Sequence, residues 1–310
     1  MTQQSSIFLA TDYSEQVISA EHYAFEFAKE TNSLLTIIHV YDLPFSLPSE
    51  ANAYVKETER IRKHELQKLK LHCEKTMHDI DIKLNEVKWE CLVLEGAIGK
   101  EISKETERSK PDLIITGTHE TKGLISFFEN SHTWEIIKKT NVPILSVPPK
   151  HPIKEIKKIV FATEFKDGEI PGLNYLVDFA REFNAEIIVL HISNHTITDE
   201  FEKNIFEQFR TEIFEALDYD KLYLRLIHSD DIVGGINDYC DSVQADWLAM
   251  SHSKPALLKR LFLAKKSVTK ELVLQSHIPL LSLPDSFISE QEKTIDSVIE
   301  TITFNKTAEQ

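Results

Sequence analysis

Short runs of apolar residues alternate along the chain with longer stretches in which apolar positions recur at a helical period. The runs are nearly continuous in Ile, Leu and Val, which is typical of parallel strands buried on both faces of a sheet and connected by covering helices. They predict strands at 6–11, 34–40, 88–94, 112–117 and 143–147, and again at 157–163, 186–192, 222–228, 246–251 and 279–283. The predicted fold class is therefore α/β, with two five-stranded parallel sheets that carry helices on both faces.

The stretches between the strands have the amphipathic pattern of surface helices. They predict helices at roughly 14–31, 50–77, 97–109 and 131–140 in the first half, a helix at about 198–217 in the second, and a last one at 288–302. Ser14 and Glu15 precede the first apolar-periodic stretch and form a simple signal for a helix N-terminus.

The chain contains an internal duplication. Residues 7–12 (IFLATD) recur at 159–164 (IVFATE), and two further matches, FAKE with FARE and IIHV with VLHI, lie at the same offset of 152. Later matches lie at offsets of 134 and 136, so the second copy is about 18 residues shorter between its second and fourth strands. We therefore expect two domains and a polar tail, at 1–150, 151–285 and 286–310.

Composition and charge exclude several classes of protein. The 35 basic and 50 acidic residues give a net charge of -15, which argues against a nucleic-acid partner. No apolar run approaches the length of a membrane span, and the eight glycines form neither a dinucleotide fingerprint nor a Walker loop. The three cysteines share no short spacing and the N-terminus lacks a secretory pattern, so we expect a reduced, cytoplasmic protein.

Five segments together resemble one known family. They are ATDYSE (10–15), IIHVYD (37–42), LEGAIGKEI (94–102), PDLIITGTHETKGL (111–124) and NSHTWEIIKKTNVPILSVP (130–148). In this order they resemble a universal stress protein domain over 5–148, and 157–284 resembles a second one more weakly. The resemblance implies two tandem Rossmann-like domains of the adenine-nucleotide alpha-hydrolase-like type.

The resemblance also implies a nucleotide site in the first domain. Nucleotide-binding members of the family carry an Asp after strand one and the motif G-x2-G-x9-G-[S/T] after strand four, whose amides hold phosphates. Here Glu120 stands in place of the middle glycine and Asn130 in place of the last. A carboxylate at 120 would repel a polyphosphate. The residues implied to bind ATP or AMP are Asp12, Val40, Gly117, Thr118, Asn130 and Ser131.

The second domain departs further from that motif. Glu164 replaces the Asp, Ser251 replaces the first glycine, and the loop 251–272 contains no glycine. We therefore expect nucleotide binding to be lost there. Histidines at or just after its predicted strand ends offer a different chemistry, because imidazole nitrogens are zinc ligands. The alternative metal ligands are His195, His228 and His252.

The sequence supports a binding role better than catalysis. The pairs Asp12–Ser14 and Ser131–His132 each have ordinary roles in caps or turns, so we expect no catalytic residues. We expect a non-enzymatic stress-response protein that acts as a binding or scaffold module on an unknown protein partner. Its two domains are predicted to form a pseudo-dimer through the terminal strands 143–147 and 279–283. The alternatives are an ATP or AMP sensor and a zinc-binding scaffold.

Overall fold

The computed structural model describes residues 5–44, 46–118, 132–151, 154–165, 169–194, 200–252 and 275–284, together with 268 and 272. In the first half the elements are β1 (Ser6–Ala10), α1 (Ile18–Glu30), β2 (Leu34–Tyr41), α2 (Ala51–Asp79), β3 (Lys88–Glu95), α3 (Ile98–Ser109), β4 (Leu113–Gly117), α4 (His132–Lys139) and β5 (Ile144–Val147). In the second half they are β6 (Lys158–Ala162), α5 (Ile170–Phe183), β7 (Glu186–Ser193), α6 (Glu200–Ala216), β8 (Leu222–His228), α7 (Ile232–Val243), β9 (Trp247–His252) and β10 (Leu280–Pro284).

Both halves have the same strand order. The described strands form one ten-stranded sheet in the order β3-β2-β1-β4-β5-β10-β9-β6-β7-β8. Within each half all neighbouring strands are parallel. In each half the strand order reverses beside the first strand, between β1 and β4 and between β6 and β9. The α/β fold with parallel five-stranded halves is therefore confirmed.

The two halves meet at an antiparallel pair of strands, β5 and β10. Leu145 lies opposite Leu281, while Ser146 lies opposite Leu280 and Ile144 opposite Ser282. Residues that correspond at the duplication offset of 136 thus face one another reciprocally. A two-fold axis produces this relation between identical subunits, so the junction has local pseudo-two-fold symmetry.

An aromatic cluster joins helices α1 and α5 beneath strand β9. Its members are Tyr23, Phe27, Phe179, Phe183 and Trp247, with neighbouring ring centroids 4.7–6.4 Å apart. Trp247 is 1% exposed, and its Nε1 donates to the Tyr23 hydroxyl at 2.5 Å. The hydrophobic core on this face of the sheet is continuous through both halves.

The predicted elements differ from the structure at their ends. Helix α1 begins at Ile18, because residues 14–17 form a turn in which the Val17 N–H donates to the Ser14 carbonyl at 3.1 Å. The length lost from the second copy falls partly on its second helix, as predicted, since α2 has 29 residues and α6 has 17. The predicted helix at 288–302 lies outside the described residues. Of the helices that the structure describes, none has the length and apolar character to cross a membrane.

Candidate functional site

The carboxyl edge of the first half brings three predicted site residues to one level. Ala10 of β1 is in register with Ile38 of β2 on one side and with Thr116 of β4 on the other. Asp12, Val40 and Thr118 each follow this aligned set by two residues. They therefore lie side by side where the strand order reverses, which is the place where open α/β sheets bind ligands.

The polar groups at this edge already have partners. The exposed Asp12 accepts a hydrogen bond from the Ser14 N–H at 2.9 Å, which closes a short turn after β1. Thr118 is buried, and its N–H donates to the Val147 carbonyl at 3.0 Å. The Thr118 N–H therefore already has an acceptor within the protein. The predicted nucleotide residues Asn130 and Ser131 lie outside the described residues.

Gly117 is explained by packing in this structure. Its φ lies outside the left-handed region, but a Cβ there would lie 2.8 Å from Val17 Cγ1 and 2.9 Å from Val17 Cα. Its carbonyl accepts a hydrogen bond from the Thr133 hydroxyl at 2.8 Å, which ties the first turn of α4 to the end of β4. The missing side chain therefore allows the turn before α1 to approach the end of β4.

A buried acid lies under the β1 end, on the side covered by α1 and α2. Glu21 of α1 has only 3% of its side chain exposed, and its carboxylate accepts a hydrogen bond from the Thr11 hydroxyl. His72 Nε2 of α2 lies 2.8 and 2.9 Å from the two Glu21 carboxylate oxygens. A buried carboxylate requires such partners. The cluster therefore fixes α1 and α2 against the turn that carries Asp12.

Tyr13 extends this cluster toward the end of β2. Its φ of 64° is left-handed, and its ring packs 4.2 Å from the His39 ring, with Lys68 Nζ 4.3 Å from the ring centroid. His39 Nδ1 lies 2.9 Å from the Thr11 carbonyl, and burial lowers the pKa of the imidazole, which favours its neutral form. Burial and nearby Glu65 raise the pKa of the Tyr13 hydroxyl.

A cleft of about 500 Å³ opens beside this cluster, between the end of β2 and α2. His39, Tyr41 and Lys68 are among the residues that line it. Val40, by contrast, packs against the core cluster that contains Ala10 and Ile38, whereas Tyr13 and Tyr41 pack against the other. The cleft and the predicted nucleotide residue Val40 thus lie on opposite faces of the sheet.

The second half repeats the first turn with different residues. Phe165 has a φ of 57° and stacks on His191 at 3.9 Å, as Tyr13 packs on His39. His191 Nδ1 lies 2.8 Å from the Thr163 carbonyl, and the Thr163 hydroxyl donates to the buried Glu169. The backbone after the first strand is therefore preserved in both halves, and Glu164 occupies the place of Asp12.

The position of Gly117 is compensated differently in the second half. Ser251 stands there in β9, and a Cβ at Gly172 of α5 would lie 2.9 Å from the Ser251 hydroxyl oxygen. In the first half the glycine at this contact is Gly117, at the end of the strand. In the second half it is Gly172, on the helix that packs against the strand. Gly172 therefore accommodates the side chain that replaced the first motif glycine.

The predicted zinc ligands fall largely outside what the structure describes. His195 and the side chain of His252 lie outside it, and His228 Nε2 lies 3.6 Å from Asp230 Oδ1. Within the part of the chain that is described, no group of three or more His, Cys, Asp or Glu residues is placed to hold a metal ion. The zinc hypothesis thus stays a prediction.

Sequence reasoning missed three groups that the fold brings together. They are Glu21 with His72, Tyr23 with Trp247, and Cys73 with Cys91, whose sulfurs are 3.8 Å apart. The repeated pattern Thr-x-aromatic, at Thr11 and again at Thr163, was a signal for the shared turn. The three pairs themselves join residues that are 51, 224 and 18 positions apart, and no local sequence pattern indicates that they meet.

The fold and this edge define a duplicated α/β protein with a crevice at the point where the strand order reverses. The model of the universal stress protein family matches residues 5–148 and again 155–284. The chain belongs to this family, as a tandem universal stress protein.

Three individual proteins illustrate what the chain is similar to. The chain is 30% identical over 151 residues to a universal stress protein of Methanocaldococcus jannaschii, covering 48% of this chain and 84% of the relative. The crystal structure of a universal stress protein from Archaeoglobus fulgidus superposes with a TM-score of 0.64 at 16% identity, covering 91% of this chain and 97% of that one. A universal stress protein from the same organism, solved in complex with dAMP, covers 42% of this chain and 98% of its own at 18% identity and a TM-score of 0.33.

Proposed function

We propose that this chain is a non-enzymatic, cytoplasmic stress-response protein that acts by binding, with its two halves arranged as an intramolecular pseudo-dimer. The reciprocal pairing of β5 with β10 carries the proposal, because Leu145 faces its own counterpart Leu281. Such pairing covers one edge strand of each half, where exposed N–H and C=O groups would otherwise recruit another chain.

The hydrogen bonds that the polar side chains make within the protein support a binding role over a catalytic one. Around the first carboxyl edge, Asp12 closes a turn, His39 is held on a backbone carbonyl, and Glu21 is enclosed between a hydroxyl and an imidazole. General acid–base catalysis needs such a group within reach of the substrate proton. These three groups instead stabilise the loop that shapes the crevice.

The pseudo-dimer is tested on the full chain by sedimentation velocity and calorimetry. Because β5 and β10 cover each other, we expect a monomer whose halves unfold in one transition, with calorimetric and van't Hoff enthalpies that agree. A reversible dimer that forms through the terminal strands, or two separate unfolding transitions, would contradict the proposal. ATP incubated with the protein should be recovered unchanged.

A second candidate function is adenine-nucleotide sensing by the first half. The common level of Asp12, Val40 and Thr118 at the crevice favours it. A ligand that binds only the folded protein raises its stability, by about 2.7 kcal/mol at a hundred times its Kd. We expect AMP to raise the melting temperature and Asp12→Ala to abolish the rise.

The matched control for Asp12→Ala is Glu164→Ala, which changes the corresponding position of the second half. It should leave the AMP response unchanged. Glu120→Gly should raise the affinity for ATP more than the affinity for AMP, because it removes a carboxylate that repels a polyphosphate. No AMP response, or an equal loss of response in both alanine variants, would count against nucleotide sensing at this crevice.

A further inference from the structure

Two cysteines of the first half meet where α2 packs on the edge strand β3. Cys73 Sγ lies 3.8 Å from Cys91 Sγ, and both cysteines are free thiols. Cys73 is 1% exposed and Cys91 is half-buried. A disulfide has a sulfur–sulfur distance of about 2.0 Å, so closing this one requires a movement of about 2 Å.

We propose that Cys73 and Cys91 form a redox-active dithiol that a low-molecular-weight disulfide, such as oxidised glutathione, converts to an intrachain disulfide. The Cys91 thiolate attacks one glutathione sulfur, which forms a mixed disulfide and releases one glutathione thiolate. Cys73 then loses its proton and attacks Cys91 Sγ, which releases the second glutathione. The two cysteines are oxidised by two electrons and one glutathione disulfide is reduced to two thiols.

The surroundings assign different roles to the two sulfurs. The hydrogen bond from Cys73 and the nearby charge of Lys70 lower the pKa of Cys91, while the hydrogen bond to Cys91 and burial raise the pKa of Cys73. A thiolate that is partly exposed reacts first with a small oxidant. Cys91 is therefore the attacking thiol, and the enclosed Cys73 is the resolving one.

The second half lacks this pair. The buried series Leu69, Cys73 and Met77 of α2 has the same spacing as Phe209 and Ile213 of α6 and Leu217, which directly follows that helix. Cys91 lies opposite Ile37, as Leu224 lies opposite Val189 in the second half. Aliphatic side chains thus occupy both corresponding positions, so the core at this place does not require sulfur.

The disulfide would act on the polar cluster under the first crevice. Cys73 directly follows His72, whose imidazole contacts both carboxylate oxygens of the buried Glu21. Glu21 in turn accepts from Thr11, the residue before Asp12. Movement of this turn of α2 toward β3 would therefore be transmitted to the loop after β1.

The test exposes the full chain to glutathione buffers of increasing oxidised fraction, quenches with acid, alkylates the remaining thiols and identifies the products by mass spectrometry. We expect Cys73 and Cys91 to disappear together, with loss of two hydrogens. Trypsin should then release peptide 71–75 (LHCEK) linked to peptide 89–100 (WECLVLEGAIGK). In the reduced protein, Cys91 should alkylate at least about tenfold faster than Cys240, because burial raises the pKa of Cys240 to about 12.

Single variants separate the two roles. Cys73→Ala should leave Cys91 as a lasting mixed disulfide with glutathione, and Cys91→Ser, at the half-buried position, should leave Cys73 reduced. Cys240→Ser should oxidise like the unchanged protein. The proposal is overturned if both thiols stay reduced in oxidised glutathione, if the unchanged protein stops at the mixed disulfide, or if Cys240 takes part in the bond.

Discussion

Replacing Trp247 by alanine is expected to lower the free energy of unfolding by about 3–5 kcal/mol. Trp247 is the largest of the fully buried side chains, and its ring stacks 4.8 Å from the Phe179 ring. It also donates to the hydroxyl of Tyr23 in the opposite half at 2.5 Å. The alanine variant therefore loses core packing and a contact that joins the halves. Urea unfolding followed by circular dichroism measures the loss.

Two further variants show which part of the loss belongs to the junction. Tyr23→Phe keeps the ring and leaves the indole N–H unsatisfied, which should cost about 1–3 kcal/mol. Phe8→Ala removes a buried ring of β1 from the opposite face of the sheet and should cost as much as Trp247→Ala without separating the halves. If Trp247→Ala costs less than about 1 kcal/mol, the aromatic cluster does not hold the halves together.

The strands could be predicted closely because each is a short apolar run between polar segments. Leu34–Tyr41 and Glu186–Ser193, for example, lie within one residue of their predicted bounds. Because the chain is duplicated, each apolar run that predicts a strand in one half has a counterpart in the other half, against which its bounds could be checked. The start of α1 was less predictable, because Ser14 and Asp12 form a turn instead of a cap on the helix.

Contacts between distant residues could not be predicted in this way. Tyr23 and Trp247 are 224 positions apart, and they meet only because α1 and α5 pack under β9. The pattern of strands likewise does not predict which of the three cysteines lie close to each other. Cys73 and Cys91 become neighbours only when α2 covers the edge strand β3.

The strand ends at the crevice could be predicted, but not the contacts that residues make there. The order of the strands places Asp12, Val40 and Thr118 at one edge, and nucleotide binding by these residues stays a prediction. Motif matching could not show that the Thr118 amide is already bonded to Val147, since that bond depends on the strand after the next helix. Motif matching also could not show whether Gly117 lacks a side chain because a phosphate approaches it or because Val17 packs against it.

Replacing Gly117 by alanine is expected to destabilise the protein by about 2–3 kcal/mol in the absence of any ligand. The new Cβ would lie 2.9 Å from Val17 Cα, which is backbone and cannot rotate away. The turn before α1 must then move, and with it the Asp12 loop. Thermal and urea unfolding of the ligand-free protein measure this effect.

The second half provides the matched comparison. Gly172→Ala would place its Cβ 2.9 Å from the Ser251 hydroxyl oxygen, which can rotate, so we expect a loss below about 1 kcal/mol. Combining Gly172→Ala with Ser251→Gly should restore the original stability, since the two small residues would exchange places. If Gly117→Ala is as stable as the unchanged protein, packing against Val17 does not explain the glycine. The glycine at this position would then have to be explained by a ligand that approaches the backbone at Gly117.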